Sequence, residues 1–329
     1  MAAGTITDYN LVTELIDGMA PVVLTANLSL VRSGVMSTTF DGITFPISQG
    51  NTWSVRGYTQ RTDDWSTPVA ATDMTVNNID SYKDVGVILR RGDALGVEDV
   101  SRYAGGDPEN ALATDMARII GHQAAINFER TFFEGVLLGL FNTSGCLRDS
   151  HVVVAQSALT AGDFTDALWA VGENGGQYSL AMMHSKVFKN YQKNELVNYS
   201  DVARMTFMQM GMSYGGTIGG VPVVLNDRVY NSSNTYHTYL FKPNSLFLAF
   251  QRDMNIEYDR QVLKAGGTDV WKYLPYFSPH VPGTTFSGTA PTGVGGATDA
   301  NLYTVGNWSK RTGVDNSQIG VVCIESTEG

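Results

Sequence analysis

One stretch of the sequence decides the fold: Gly105-Gly106-Asp107-Pro108, followed by ENALATDMARIIGHQAAINFERTFFEGVLLGL at residues 109–140. Asp107 is a favourable helix N-cap, and Pro108 suits the first helical position. Apolar residues then recur at seven-residue spacing, at Leu112, Ile119, Ile126, Phe133 and Leu140. The sequence therefore predicts one helix over residues 107–140, about 50 Å long at roughly 1.5 Å per residue.

This predicted helix is longer than an ordinary globular helix of roughly 8–20 residues. Four polar residues are expected on the side opposite the apolar stripe: Asp115, Arg118, His122 and Glu129. Because only one such stretch occurs in the sequence, the pattern favours a single helical spine over a coiled-coil rod.

The sequence before this helix predicts extended segments with little core of their own. Residues 1–40 combine a short helix at Tyr9–Met19 with Thr-, Ser- and Gly-containing sequence, which is typical of an arm. Residues 41–80 alternate as strands do up to Val55 and then run through polar sequence. Long segments of this kind, which have little core of their own, are usually functional or disordered. Residues 83–91 predict a buried strand.

The sequence after the helix predicts a compact α/β unit over residues 160–250. Its expected elements are a helix capped by Asp163, a helix at Ser185–Leu196, and strands at 180–183, 221–225, 239–241 and 246–250. Residues 255–278 predict a hairpin around Gly266-Gly267. Residues 283–300 predict a flexible loop, and 318–325 predict a final strand.

The composition limits the function. Charged residues make up 16% of the chain, against roughly 25% in an average soluble domain, which favours a surface covered by other copies. The net charge of −10 argues against direct binding of nucleic acid, although an acidic wall could enclose DNA.

No secretory signal or membrane span is visible in the sequence, so a soluble protein made in a reducing cytoplasm is expected. The two cysteines, Cys146 and Cys323, predict reduced, buried thiols.

The sequence contains no constellation typical of an enzyme. The Gly-rich stretch 211–220 lacks the lysine of a phosphate-binding loop, and no two of the five histidines lie at metal-ligand spacing. His184, between a strand and a helix, could act as a base, but a capping or packing role is favoured. An activated thiol at Cys146 is disfavoured.

Two acidic groups could be imagined as cation sites, Asp63-Asp64 and Glu257 with Asp259. Ion pairs are favoured for both, in the second case with Arg260. The sequence therefore predicts no catalytic, cofactor-binding or metal-binding residues.

Several motifs, in order, resemble the HK97-like major capsid proteins of tailed bacteriophages. They are Val87-Ile-Leu-Arg-Arg-Gly92, Glu98-Asp-Val100, the run from Gly105 through the long helix to Leu137-Leu-Gly-Leu-Phe141, Ala181-Met-Met-His-Ser-Lys-Val187, Val221-Pro-Val-Val-Leu-Asn-Asp227, Tyr239-Leu-Phe241 and Ile256-Glu-Tyr-Asp-Arg260. The resemblance spans roughly residues 85–283. It implies an α+β HK97-like capsid fold.

The resemblance also implies the parts of that fold. They are an N-terminal arm (1–40), an extended E-loop hairpin (41–82), a peripheral domain with the spine helix 107–140 (83–159), an axial domain (160–254), a peripheral-domain hairpin (255–283), and a flexible loop with a C-terminal strand that returns to the axial domain (284–329). The implied function is a structural subunit that self-assembles into pentamers and hexamers of an icosahedral shell around double-stranded DNA.

The implied partners are further copies of this chain, a portal and a decoration protein. DNA would be enclosed without sequence-specific binding, no membrane is involved, and the location is the virion, assembled in the host cytoplasm. Because the chain begins in the arm at Met1, we expect a separate scaffolding protein or none. The E-loop region has a lysine only at its border, Lys83, so we expect no isopeptide crosslink.

Two alternatives stay open at this point. An encapsulin-type nanocompartment shell shares the fold, and the long polar excursion over 41–80 favours the phage capsid over it. A cytosolic α/β enzyme that uses His184 as a base belongs to a different class, and the missing partner residues argue against it.

Overall fold

The computed structural model describes residues 29–37, 39–40, 43–44, 50–58, 81–98, 109–172, 177–195, 212–252, 256–261, 267–289, 291–292 and 296–328. The helix predicted at Tyr9–Met19 and the polar sequence at 59–80 lie outside these residues.

The helical segments of the described residues are α1 (Ser29–Arg32), α2 (Glu109–Arg130), a π-helix (Thr131–Leu137), α3 (Leu138–Phe141), α4 (Arg148–His151), α5 (Ala161–Trp169), α6 (Ser185–Asn194), α7 (Asp299–Tyr303) and two 3₁₀-helices (Val305–Asn307 and Asn316–Gln318). The strands are β1 (Met36–Ser37), β2 (Thr39–Phe40), β3 (Ile43–Thr44), β4 (Thr52–Tyr58), β5 (Ser81–Val87), β6 (Leu89–Arg90), β7 (Asp93–Glu98), β8 (Val152–Val154), β9 (Leu180–Met183), β10 (Ser213–Ile218), β11 (Val221–Leu225), β12 (Asn231–Ser232), β13 (Thr235–Phe241), β14 (Leu246–Arg252), β15 (Ile256–Gln261), β16 (Thr268–Tyr273), β17 (Tyr276–His280), β18 (Thr284–Phe286), β19 (Trp308–Lys310) and β20 (Val321–Thr327).

A seven-stranded mixed sheet forms the α/β unit, in the order β10-β11-β9-β13-β20-β8 with β12 beside β13. Successive residues of β13 point to opposite faces. Leu240 joins the apolar cluster beneath α5 and α6, whereas Tyr239 and Phe241 join the cluster beneath the long helix. Burial on both faces explains why β9 is apolar throughout and why β20 is apolar from Val321 to Ile324. The predicted strands 180–183, 221–225 and 318–325 are confirmed within two or three residues at their ends.

The predicted long helix is present over Glu109–Arg130 and continues through the π-helix to Phe141, whereas its predicted cap, Asp107, and first residue, Pro108, lie outside the described residues. We call α2, the π-helix and α3 together the spine helix. Buried pairs recur along it every four residues, from Met116-Ala117 to Leu140-Phe141. The predicted seven-residue stripe is therefore wrong in detail, since Ile119 is 47% exposed and Glu129 is fully buried.

The π-helix has a physical reason in this four-residue repeat. An α-helix completes a turn in about 3.6 residues, so residues four apart drift about 40° around its axis. A π-helix has a wider turn, closed by i→i+5 hydrogen bonds. Its residues drift in the opposite sense, which keeps Phe132-Phe133 and Val136-Leu137 facing the core.

The remaining strands form smaller sheets, and one of them contains β14, which was predicted within the α/β unit. β14 leaves the α/β unit and lies in the order β1-β14-β17-β6, so the chain departs from the large sheet after Phe241 rather than after residue 254. The hairpin predicted over 255–278 is confirmed as β15 and β16, and β7 extends it to three strands.

Two further predictions need correction. The flexible loop predicted over 283–300 contains β18, which pairs with β19, and it includes the first residues of α7. Asp163 is not the cap of α5. Thr160 caps it, and Asp163 is the third helical residue in a reciprocal capping box. Among the described residues, no helix is long and apolar enough to span a membrane.

Candidate functional site

His184, the histidine singled out in the sequence, caps helix α6. Its Nδ1 atom accepts a hydrogen bond from the Lys186 backbone N–H at 3.0 Å, which confirms the predicted capping role. The same atom lies 3.5 Å from the Asp227 carboxylate, and that carboxylate accepts from the Ser185 N–H at 2.8 Å. These contacts stabilise a strand-to-helix junction, and they account for the position of the histidine without catalysis.

The other candidate groups of the sequence are dispersed or paired. Arg260 contacts Asp269 at 2.7 Å across the β15–β16 hairpin, an acid other than the predicted Glu257 and Asp259. Glu257 instead faces Lys272 at 3.8 Å. Within the part of the chain that the structure describes, no group of three or more His, Cys, Asp or Glu residues could hold a metal ion. Asp63-Asp64 lies outside that part.

The two cysteines are free thiols. Cys323 is buried, as predicted, and Cys146 is half-buried. Burial raises the pKa of Cys146 to about 11. A thiol with so high a pKa is almost entirely protonated at neutral pH and is a poor nucleophile.

A cavity of about 470 Å³ lies between the spine helix and α7. Its lining holds two arginines, and each pairs with an acid of the same lining: Arg91 with Asp299 at 2.9 Å and Arg130 with Glu134 at 2.5 Å. The four charges cancel within the cavity, which therefore offers a ligand little electrostatic attraction.

The antiparallel pair β4–β5, which we call the ribbon, belongs to none of the larger sheets. We call the rest of the described residues the body. The register of the ribbon runs from Thr52 opposite Val87 to Tyr58 opposite Ser81. The ribbon forms a two-stranded sheet of its own. A two-stranded hairpin is at best marginally stable alone, so contacts with the body must hold it.

The ribbon has one buried face and one exposed face. Trp53 and Val55 are each 7% exposed, and Asp84 is fully buried. The alternate residues Ser54, Arg56 and Lys83 are exposed, and Tyr58 at the far end is 78% exposed. This alternation, with a period of two, is that of a strand pair docked on one side and open to partners on the other.

Trp53 anchors the base of the ribbon. Its indole N–H donates to the Ser278 hydroxyl at 2.6 Å, and its ring meets Phe247 edge-on at 5.7 Å. The ring of His280 lies 5.0 Å away on the same side. Burial lowers the pKa of His280 to about 3, and the nearby Arg311 adds to that effect, so the imidazole is neutral near pH 7.

A second anchor joins the ribbon to a distant part of the chain. The guanidinium of Arg311 contacts the Asp84 carboxylate at 3.1 Å, and Thr285 Oγ1 accepts from the Val85 N–H at 3.1 Å. Asp84 and Arg311 are separated by 227 residues in sequence. No motif in the sequence indicates this pair, because only the fold brings them together.

A buried carboxylate on the spine helix ties three parts of the molecule together. One oxygen of Glu129 accepts from both the N–H and the hydroxyl of Ser29 in α1, each at 2.6 Å. The other accepts from the Asn226 side chain at 3.1 Å and from Arg228 at 2.5 Å. The network links α1, near the end of the predicted arm, to the spine helix and to the residues that follow β11.

This arrangement contains anchored extended segments and paired charges rather than a reaction centre. We therefore regard the ribbon, with its open outer face, as the candidate functional site.

Comparison with solved structures shows which fold this is. The capsid protein of Ralstonia phage GP4 matches with a TM-score of 0.59 at 10% sequence identity, over 90% of both chains. A chain of the cyanophage Pam1 capsid matches with a TM-score of 0.54 at 11% identity, over 92% of this chain and 93% of that one. The acid-stable capsid of Helicobacter pylori bacteriophage KHP30 matches with a TM-score of 0.53 at 12% identity, over 89% of each chain.

This chain has the α+β HK97-like capsid fold. The resemblance found in the sequence is thus confirmed at the level of the fold. No protein-family description matches the sequence, and no curated protein matches it.

Proposed function

We propose that this chain is the major capsid protein of a tailed bacteriophage. In this proposal it assembles with copies of itself into pentamers and hexamers of an icosahedral shell that encloses double-stranded DNA. One observation carries the proposal: capsid subunits of different phages share its fold over about nine-tenths of both chains. A match over nine-tenths of the chain extends well beyond the α/β unit predicted at residues 160–250.

The arrangement of the described residues supports an interlocking subunit. The ribbon is docked on one face only, and Tyr58 at its far end is 78% exposed. Among the described residues no third strand pairs with β4 or β5, and unpaired strand edges readily pair with other chains. In an assembled shell a neighbouring copy would cover these surfaces, which agrees with the low charged fraction of 16%.

We assign the parts as the resemblance implies, with two changes. Residues 1–40 are the arm, 41–82 the E-loop, and 83–151 with 255–283 the peripheral domain. The axial domain begins with β8 at residue 152 rather than at 160, because β8 pairs with β20 in the large sheet, and it ends at Phe241 rather than at 254, because β14 pairs with β17 and not with that sheet. The last strand, β20, returns to that sheet between β13 and β8.

The proposed partners follow from this role. They are other copies of the chain, a portal, a decoration protein, and a separate scaffolding protein if one is used. The location is the virion, after assembly in the host cytoplasm. The net charge of −10 suits a wall that encloses DNA without gripping it. We propose no catalytic activity and no cofactor.

Imaging of the purified protein tests the proposal. Size-exclusion chromatography followed by negative-stain microscopy should show closed shells, or hexamers and pentamers. A monodisperse monomer under all assembly conditions would contradict it. Intact mass measurement of denatured particles should give single chains, because the E-loop region has a lysine only at its border, Lys83; covalent multimers would contradict that part.

An encapsulin-type shell is the second candidate, because it shares the fold. Nucleic-acid content separates the two functions. Particles from phage-infected cells should contain double-stranded DNA, whereas a nanocompartment would contain a protein cargo and little nucleic acid.

A further inference from the structure

The buried face of the ribbon carries two aromatic residues, each lying across a glycine on the opposite strand. Trp53 is opposite Gly86, and Tyr82 is opposite Gly57. A Cβ atom added to Gly86 would meet the indole at 2.4 Å, and one added to Gly57 would meet the Tyr82 ring at 2.5 Å. Only glycine leaves room for rings that lie flat on the strands.

Asp84 lies between these two aromatic residues on the same face, and Arg311 meets both Asp84 and Tyr82. The centre of the guanidinium lies 3.7 Å from the centroid of the Tyr82 ring. One of its nitrogens lies 3.1 Å from the Asp84 carboxylate. The Tyr82 ring is thus held between a glycine of the ribbon and a cation of the body.

The backbone of Arg311 is itself firmly placed. Its N–H donates to the Gly283 carbonyl at 3.0 Å, and its carbonyl accepts from the Val314 N–H at 3.3 Å. The preceding residue, Lys310, pairs with Thr284 in the β18–β19 sheet. Because these hydrogen bonds fix the backbone of Arg311 in the body, its guanidinium holds the ribbon in a defined position relative to the body.

The contact of Arg311 with Asp84 and Tyr82 is better suited to fixing the orientation of the ribbon than to raising the stability of the fold. Asp84 is fully buried and Arg311 is 15% exposed, and the desolvation cost of such a pair offsets much of its attraction. A planar guanidinium, however, stacks on a ring and binds a carboxylate in one geometry, which lysine cannot reproduce. The contact therefore specifies one orientation of the ribbon more than it stabilises the fold.

We propose that Arg311 is a positioning residue for assembly. By joining Tyr82 and Asp84 to the body, it sets the direction in which the ribbon leaves the subunit and so the angle between neighbouring subunits. The inference rests on the proposed shell function, since the angle matters only where copies meet.

The test compares four variants with the wild type. The double variant Asp84→Asn/Arg311→Met removes both charges and keeps similar volumes, so no buried charge is left unpaired. Tyr82→Ser removes the stacking ring, and Tyr82→Phe retains it. Arg118→Met serves as a matched control, because Arg118 is an arginine with a 74% exposed side chain on the spine helix.

Two measurements are needed on each variant. Amide hydrogen exchange compares the ribbon, at 52–58 and 81–87, with strand β13. Negative-stain microscopy measures the distribution of particle diameters. For the double variant and Tyr82→Ser we expect exchange in the ribbon to rise about tenfold or more, as local opening permits, with β13 unchanged and particle diameters broadened. Tyr82→Phe and Arg118→Met should match the wild type in both measurements.

Unchanged exchange in the ribbon of the double variant would overturn the proposal. So would faster exchange with an unchanged diameter distribution, because Arg311 would then only stabilise the ribbon. If the wild type forms no shells, the proposed function fails on its own, and the exchange measurement still decides whether Arg311 holds the ribbon.

Discussion

The seven-stranded sheet and the ribbon are held in different ways. The sheet is buried on both faces by apolar clusters, one beneath α5 and α6 and one beneath the spine helix. The ribbon is docked on one face through a tryptophan, a buried aspartate and a distant arginine, and its other face is exposed. The sheet stabilises the subunit, whereas the ribbon is held by a small apolar cluster of Trp53 and Val55 with Ile88, Phe247 and Ala249 and by a few directional contacts.

In this chain the seven-stranded sheet is suited to stabilising the fold, and the ribbon is suited to contacts between subunits. Apolar burial is strong and weakly directional, so it suits a unit that must be stable in every copy. Polar and aromatic contacts at a few points are directional and individually modest. They suit a segment whose orientation has to be specific and whose surface has to stay open.

Truncation of the sheet core should produce the largest effect. Leu240 in β13 is fully buried, and Leu240→Ala should lower the free energy of unfolding by roughly 2–5 kcal/mol. Val154→Ala on the edge strand β8, where the side chain is 52% exposed, should change it by less than about 0.5 kcal/mol. Denaturant unfolding measures both. Equal effects of the two changes would contradict the view that the buried apolar faces of the sheet stabilise the subunit.

As the pH is lowered, the contacts between the ribbon and the body should weaken at a higher pH than those of the seven-stranded sheet. The pKa of His280 is lowered from 6.5 to about 3, chiefly by burial, with Arg311 adding to the lowering and a backbone hydrogen bond to Thr284 opposing it. The unfolded chain therefore binds a proton that the folded chain excludes, and stability falls as the pH drops from about 6.5 towards 3. The loss should be of the order of 2–4 kcal/mol.

The sheet should respond at lower pH. Hydrogen bonds from His237 and Arg148 lower the pKa of Glu325 in β20 from 4.5 to about 2, so its contribution is present above pH 4.5 and is lost towards pH 2. Hydrogen exchange across a pH series should show faster exchange in 52–58 and 81–87 before 321–327. His280→Phe should reduce the early step; an unchanged pH profile in that variant would refute the assignment.

The junction at Glu129 should show an intermediate effect. Glu129→Gln places an amide N–H group against donors from Ser29 or from Asn226 and Arg228, and it removes the charge opposite Arg228. We expect a loss of roughly 1–3 kcal/mol in the free energy of unfolding. Glu134→Gln, which changes a half-exposed partner of Arg130 on the same helix, should cost less than about 1 kcal/mol. Thermal unfolding distinguishes the two.

The outer end of the ribbon should show the smallest effect on the isolated subunit. Tyr58→Ser changes a residue that is 78% exposed, so the free energy of unfolding should shift by less than about 0.5 kcal/mol. If a neighbouring copy covers this residue in the shell, the yield of closed particles should fall. Normal yield together with normal stability would remove Tyr58 from the assembly surface.

Local patterns predicted much of the fold. The spine helix, the strands at 180–183 and 221–225, the β15–β16 hairpin and the last strand follow from periodicity and turn residues, because these elements depend on neighbours close in sequence. The role of His184 as a helix cap was likewise predictable, since the contact with Lys186 is local.

The sequence by itself determined one long helix, an α/β unit and the absence of a recognisable motif for catalysis. Only the tertiary structure decided which face of the spine helix is buried, where β14 pairs, and how the ribbon is held. Glu129 looks like a surface residue until Ser29 and Arg228, 100 and 99 residues away, surround it. Arg311 has no evident role until the fold places it on Tyr82. Such contacts depend on long-range packing, which a single sequence does not encode in any local pattern.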